Sequence, residues 1–407
     1  MRRHNWGVAP HFRSHCSTGH YSVRLPWSTP LNSYSLLLQK SRQAGGKLLD
    51  LTIANPTRAL ADYPHAEIAR GFGAIVDFQY EPDPFGSPGA RRAISNWYEG
   101  QGINVAENRV ALTASTSEGY AMLFKLLCDP GDEVAVPNPS YPLFEYLARA
   151  EGVRTSPYRL GYDGGWYLDI DSVRNALSTR TRAIIVVNPN NPTGSYLKSQ
   201  EAVELRALAA EHRCALISDE VFMTYPAGAA SGQGRSLIGN AGVLCFSLNG
   251  LSKAAGMPQM KLGWIVVSGP EDKAETAIDR LELLLDNYLS AGTPVQKALP
   301  ELLRIGSDVH ARINARLRRN AGTLGMLRNS PVHVLASESG WSAILQVPSV
   351  LSEEIWIRRL LVENGVIVQP GYFYDMAQEA YLVVSLLADP VDFAAGIESV
   401  KLAAESL

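Results

Sequence analysis

Seven short apolar runs between residues 109 and 268 constrain this chain most: "RVALT", "DEVAVP", "VRTSPY", "RAIIVVN", "CALISD", "GVLCFS" and "LGWIVVS". They are continuously apolar rather than alternating, the pattern of strands covered on both faces. Segments of helical character lie between them, such as 117–128 and 199–213. The alternation predicts an α/β three-layer sandwich around a mostly parallel seven-stranded sheet. After residue 270 the pattern changes. Residues 271–328 read as helix, interrupted at "SAGTP". Residues 331–388 read as a small α+β unit, with strands "HVLAS", "WSAILQV", "GVIVQP" and "YLVVSLL" around the helix "SEEIWIRRLLVEN". A last helix is expected from about Pro390.

Five of the strands run into polar clusters. "TASTSEG" follows "RVALT", "PNPSYP" follows "DEVAV", "NPNNPTG" follows "RAIIVV", "DEVF" follows "CALIS" and "SLNGLSK" follows "GVLCF". In a parallel sheet those clusters fall beyond the carboxyl ends of the strands, where such folds bind ligands. The stretch "NPNNPTG" is the most unusual, because an ordinary turn needs one or two such residues rather than seven. It reads as a loop built to hold a side-chain amide in place.

Composition narrows the partners. The 407 residues are 46% hydrophobic and 19% charged, ordinary values for a globular enzyme. A net charge of −3 gives no electrostatic case for nucleic acid or an anionic membrane. No apolar run approaches the roughly 20 residues of a membrane span. Cys16, Cys128, Cys214 and Cys245 are scattered without a CxxC pair, so free thiols and a reducing, cytoplasmic setting are expected. The first 24 residues are basic, carry His4, His11, His15 and His20, and read as a loosely ordered arm; no metal site is expected from them.

Ser115, Thr116 and Ser117 stand where a helix begins after a strand. Free N–H groups and hydroxyls there can hold a phosphate, although a plain N-cap has the same composition. No GxxxxGK[ST] is present, so this is not a nucleotide P-loop. Asp219 ends an apolar strand, where a carboxylate is costly unless paired. Lys253 follows a strand and a glycine-containing loop; once desolvated, a lysine becomes a nucleophile toward carbonyls. Ser252 and Lys261 lie close enough in sequence to join the anion site.

The order "NPNNPTG", then "DEVF" at 219–222, then "SK" at 252–253, resembles the class I/II aminotransferases, fold-type I enzymes that use pyridoxal 5'-phosphate. The likeness covers about residues 45–405. It implies that Lys253 forms the Schiff base and shuttles a proton, that Asp219 holds the ring nitrogen's proton, and that Asn191 donates to the ring oxygen. It implies that Tyr141 stacks on the ring and that Ser115, Thr116, Ser117, Ser252 and Lys261 hold the phosphate. Tyr80 resembles the tyrosine that reaches a neighbouring subunit's phosphate, so a homodimer with shared active sites is expected. "ANPT", with Ala54 and Asn55, would line the substrate side. The implied organisation is an arm over 1–24, the small domain over 25–60 and 289–407, and the large cofactor domain over 61–288. The implied reaction moves an amino group between an amino acid and a 2-oxo acid. A β-eliminating carbon–sulfur lyase on the same scaffold is the alternative.

The chain departs from the family pattern at four positions. Phe222 replaces the tyrosine of "DEVY", Gly250 a phosphate-binding serine, and Lys261 an arginine. Val383, in "YLVVS", stands where most members carry the arginine that clamps the substrate's α-carboxylate. Arg58 is the candidate replacement.

Overall fold

The computed structural model describes residues 22–25, 33–227, 236–239, 242–378 and 380–407. The arm expected over 1–24, with Cys16 and its four histidines, lies outside the described residues except for 22–24. Cys128, Cys214 and Cys245 are free thiols. Among the described residues no helix is long and apolar enough to cross a membrane.

The large sheet is built from β1 (Val110–Thr113), β2 (Glu133–Asn138), β3 (Arg154–Tyr162), β4 (Trp166–Leu168), β5 (Thr181–Val187), β6 (Ala215–Asp219), β7 (Cys245–Gly250) and β8 (Gly263–Ser268). Their order across the sheet is β1-β8-β7-β6-β5-β2-β3-β4. All seven expected strands are present. The eighth, β4, pairs antiparallel with β3 at the edge. Sequence reading missed it because β4 is three residues long and has an exposed residue between two buried ones, unlike the continuously apolar central strands. β8 is antiparallel to both of its neighbours, so β1 runs with β5, β6 and β7.

The continuous apolarity of the central strands follows from having helices on both faces. In β5, Ala183, Ile185 and Val187 point into one cluster and Ile184 and Val186 into the other. The first cluster is closed by α1 (Thr116–Leu127), through Leu123 and Phe124, and the second by α2 (Ser199–Glu211), through Leu205 and Leu208. Each such side chain stabilises the fold by about 1.5–3 kcal/mol on full burial. The short helix α3 (Leu251–Ala254) follows β7, and α4 (Glu271–Asp286) packs Leu281 and Leu285 into the α1 side.

Helix α5 (Thr293–Thr323) is 31 residues long. Its buried face, Leu299, Leu302, Ile305, Val309 and Ile313, recurs every three or four residues. Gly306 on that face lies against α3's end: a Cβ there would meet Ala255 Cα at 2.9 Å. The segment carrying Lys253 thus rests directly on the long helix.

The small sheet comprises β9 (His333–Val334), β10 (Ser342–Gln346), β11 (Gln369–Pro370) and β12 (Tyr381–Ser385), ordered β9-β10-β12-β11 and antiparallel throughout. Helices α6 (Glu353–Asn364) and α7 (Pro390–Glu405) flank it. Asp389 caps α7, accepting from the amides of Val391 and Asp392. The run "GVIVQP", expected as one strand, is divided. Val366–Ile367 pairs in parallel with Leu49–Asp50, whereas β11 pairs with β12.

Candidate active site

Asp219 is the last residue of β6 and sits partly buried at the sheet's carboxyl edge. The Val221 amide donates to its Oδ1 at 3.2 Å and the Tyr120 hydroxyl to its Oδ2 at 3.0 Å. Burial pushes its carboxyl up to about 6, and those two donors and the nearby Lys253 charge hold it back from rising further.

Lys253 lies on α3, just beyond β7. Its Nζ is 5.2 Å from the ring centroid of Trp341 and 5.6 Å from that of Phe222. Burial lowers its pKa below the ordinary lysine value, and the Asp219 charge opposes the shift. The Tyr225 hydroxyl donates to the Lys253 carbonyl. Tyr225 itself stands edge-on to Trp341 at 5.2 Å and 4.5 Å from the His310 ring. An aromatic wall therefore fixes the lysine backbone and shields its amine.

Asp219 is followed by a second acid, Glu220, which is 1% exposed. Its carboxylate accepts from Ser236 Oγ at 2.6 Å, Leu237 N and Ser218 Oγ at 2.9 Å, and Ser247 Oγ at 3.3 Å. Burial raises its pKa and the four donors offset the shift. Glu220 thus ties β6, β7 and the 236–237 segment together behind Asp219.

The loop after β5 resolves the meaning of "NPNNPTG". Asn188 Oδ1 accepts from the Leu197 amide at 3.0 Å, and Asn190 Oδ1 accepts from the Thr193 hydroxyl at 3.0 Å. The peptide bonds before Pro189 and Pro192 are cis. Asn191 accepts instead from Ser342 Oγ of the small sheet, at 3.4 Å. Gly194 (φ +67°) closes the loop against the small sheet's approach: a Cβ there would meet Ser337 Oγ at 2.0 Å and the Ser339 carbonyl at 2.1 Å.

Ser115 is the N-cap of α1, its Oγ accepting from the Glu118 amide at 3.2 Å. Thr116 and Ser117 form the first turn. Gly263 opens β8 directly beneath them: a Cβ there would lie 2.8 Å from both Ser115 C and Thr116 N. The Leu251 amide donates to the Leu262 carbonyl at 3.0 Å, which brings Ser252 beside the same strand end. Lys261 (φ +52°) is exposed just before that strand. Ser252 and Lys261 thus lie one and two residues along the chain from the backbone, at Leu251 and Gly263, that packs beside this helix start.

Tyr141 is partly buried, and burial pushes its phenol up to about 12. Ser140 N donates to the Tyr374 carbonyl at 3.1 Å, which sets Tyr141 beside the small sheet. Asn55 caps the turn Pro56–Ala59 and accepts from Thr57 N at 3.1 Å; Ala54 beside it is exposed. Pro56 lies 3.8 Å from where a Cβ of Gly256 would be, three residues beyond Lys253. Arg58 is exposed, and its guanidinium has no partner among the described residues. Tyr80 is 67% exposed. Among the described residues no group of three or more His, Cys, Asp or Glu side chains is placed to hold a metal ion.

Sequence reading missed Tyr120, Tyr225, Trp341 and Ser342. Tyr120 carries a readable signal, since it lies one turn beyond Thr116 on the helix that the serine cap begins. Trp341 and Ser342 carry none, because only the tertiary fold brings β10 to the crevice.

Among solved structures, alanine aminotransferase from Pyrococcus furiosus matches with a TM-score of 0.83 at 24% identity, over 91% of this chain and 96% of that one. A single mutant of Thermus thermophilus aspartate aminotransferase matches with a TM-score of 0.81 at 23% identity, over 94% and 99%. These likenesses show the fold. Glutamate-pyruvate aminotransferase of Haemophilus influenzae is 30% identical over 277 residues, 67% of each chain. Alanine aminotransferase of Mycobacterium tuberculosis is 30% identical over 257 residues, 63% of this chain and 60% of that one. The family model for aminotransferase class I and II matches residues 47–389. With strand ends, lysine, acid and amide loop all in the arrangement described, the chain belongs to the class I and II aminotransferases.

Proposed function

We propose that the chain is a pyridoxal-phosphate-dependent aminotransferase that moves an amino group from an amino acid to a 2-oxo acid. The observation that carries this is the placement of Lys253 and Asp219 at the ends of two paired strands, near enough for each charge to act on the other, each with its pKa moved by burial toward the neutral form. An acid and an amine so perturbed and facing one crevice are a common arrangement of catalytic sites, whereas the buried Glu220 spends its oxygens on four internal donors. The residues fit the cofactor. Gly263 lets β8 pack directly against the start of α1, whose free amides can take an anion, Asp219 offers an acceptor for a ring N–H, and Asn191 accepts at Oδ1 while its amide hydrogens remain for an oxygen of the ring.

Pyridoxal phosphate, when bound, supplies an aldehyde carbon and an electron-withdrawing ring. The chain's own residues do the rest. Lys253, with its amine pKa lowered, supplies a nucleophile and then a base that moves a proton at the substrate's Cα. Asp219 keeps a proton on the ring nitrogen. Ser115, Thr116, Ser117, Ser252 and Lys261 hold the phosphate at the helix start. Tyr141 covers a ring face, and Phe222 and Trp341 exclude water from the lysine. Asn55 and Arg58 border the substrate side. The relatives named as glutamate-pyruvate and alanine aminotransferases support transfer over elimination.

The working form in this reading is a homodimer. The exposed run Val76, Phe78 and Tyr80, at 98%, 57% and 67%, supports it by offering an unburied apolar strip to a second copy. Tyr80 then acts across the interface. The large domain over 61–288, the small domain over 25–60 and 289–407, and a reducing, cytoplasmic setting complete the proposal.

The test is borohydride reduction of the cofactor-loaded protein, followed by peptide mapping. A pyridoxyl label on Lys253 is expected. Label elsewhere, or none, overturns the reading.

A further inference from the structure

The small sheet turns one face toward the crevice, and that face carries no charge. In β10, Ser342 and Ile344 share it; Ser342 bonds to Asn191, which fixes the direction. Val383 is the cross-strand partner of Ile344 on one side and of Gln369 on the other. Directly paired residues of an antiparallel sheet point the same way. Val383 is 1% exposed, packed among Trp166, Leu335, Ile344 and Tyr374. The position therefore has neither the charge nor the room for a guanidinium.

Gln369 is the polar group left on this row, and it is only 8% exposed. The Tyr374 hydroxyl donates to its Oε1, which fixes the amide plane. Its Nε2 has no partner among the described residues, yet it is not sealed from solvent as the indole nitrogen of Trp166 is. Tyr374 is also the residue whose carbonyl receives the Ser140 amide, so the Gln369–Tyr374 pair stands beside Tyr141. A largely buried amide with one end anchored and the other end unpaired and not sealed from solvent is a donor awaiting an acceptor.

We propose that Gln369, oriented by Tyr374, receives the substrate's carboxylate through its Nε2 hydrogens, a neutral donor in place of the absent guanidinium. This rests on the aminotransferase reading and assigns its substrate contact. A neutral donor binds a carboxylate more weakly than a bidentate guanidinium does. The half-saturating concentration of amino-acid donors is accordingly high, and binding responds little to added salt.

The experiment uses the cofactor-loaded protein and two probes. L-alanine is followed by loss of the cofactor's visible band in a single half-reaction. Propionate, which has the carboxylate but no amine, is followed by its perturbation of that band without turnover. Gln369→Leu is expected to weaken propionate about tenfold and to raise half-saturation by alanine about tenfold, with the limiting rate within about twofold. Ethylamine, which lacks the carboxylate, is expected to react alike with both proteins. The double variant Tyr374→Phe/Gln369→Leu strands no buried hydroxyl and is expected to behave as the single one, which guards against a folding defect. Unchanged propionate and alanine binding in these variants overturns the proposal. So does the same loss appearing in Arg58→Ala instead. Propionate binding that depends on Gln369 in a protein inert to every amino acid upholds the proposal and sinks the transferase reading.

Discussion

Tyr120 donates its hydroxyl to Asp219 Oδ2 at 3.0 Å from the helix that Ser115 caps. One helix thereby serves both ends of the cofactor in the proposed site. Its first turn faces the phosphate, and its next turn steadies the acid.

The Tyr120 bond favours the charged form of Asp219 against the desolvation that raises its pKa to about 6. The ionised carboxylate holds a protonated ring nitrogen far more strongly than the neutral acid does, so pyridoxal phosphate affinity is expected to fall as pH drops through about 6. Removing the hydroxyl disfavours the anion and moves that midpoint upward. Fluorescence titration of apoprotein with the cofactor across pH 5–8 reads the shift; coincident midpoints for wild type and Tyr120→Phe would contradict it.

Phe222 is 5.6 Å from the Lys253 amine and brings no hydroxyl to the crevice. Phe222→Tyr adds a donor for the ring oxygen, which stabilises its deprotonated form. The pH midpoint of the bound cofactor's visible spectrum is expected to move down by about one unit, with little change in folding stability. A spectrum titrating identically in both proteins speaks against this placement of Phe222.

Gly263→Ala places a methyl 2.8 Å from the backbone at Ser115 and Thr116. Backbone cannot yield as a flexible side chain does, so the helix start must shift. Affinity for pyridoxal phosphate is expected to drop about tenfold or more, with inorganic phosphate competing correspondingly less well. Calorimetry with each ligand checks it, and equal affinities in both proteins would remove the anion site from this helix end.

Glu220→Ala strands the donors of Ser218, Ser236, Ser247 and Leu237 in a sealed interior. A stranded buried donor costs about 1–3 kcal/mol, and water filling the gap recovers part. A loss of roughly 3 kcal/mol or more in urea unfolding is expected. Glu220→Gln keeps an acceptor and is expected to lose less; equal losses would mean that the carboxylate holds no network.

The parts legible in the sequence are those whose physics is local. The central strands announce themselves because residues such as Ile184 and Ile185 face two different apolar clusters, leaving no polar position between them. Lys253, Asp219 and Asn191 were readable because each stands at the end of such a strand. Strand β4 was not readable: it is three residues long at a half-exposed edge. The division of "GVIVQP" depends on Leu49–Asp50, more than 300 residues away, and no local pattern encodes that partner. Trp341 and Ser342 are silent for the same reason. The missing arginine at Val383 was visible, but the group proposed to replace it became apparent only from the cross-strand pairing with Gln369.

Gly194 leaves no clearance between the asparagine loop and the chain at Ser337–Ser339. The two layers are therefore clasped at that spot, three residues from Asn191 on one side and two residues from Trp341 on the other. Any opening that admits substrate must either hinge at this clasp or break it, and one absent methyl group is what lets it form.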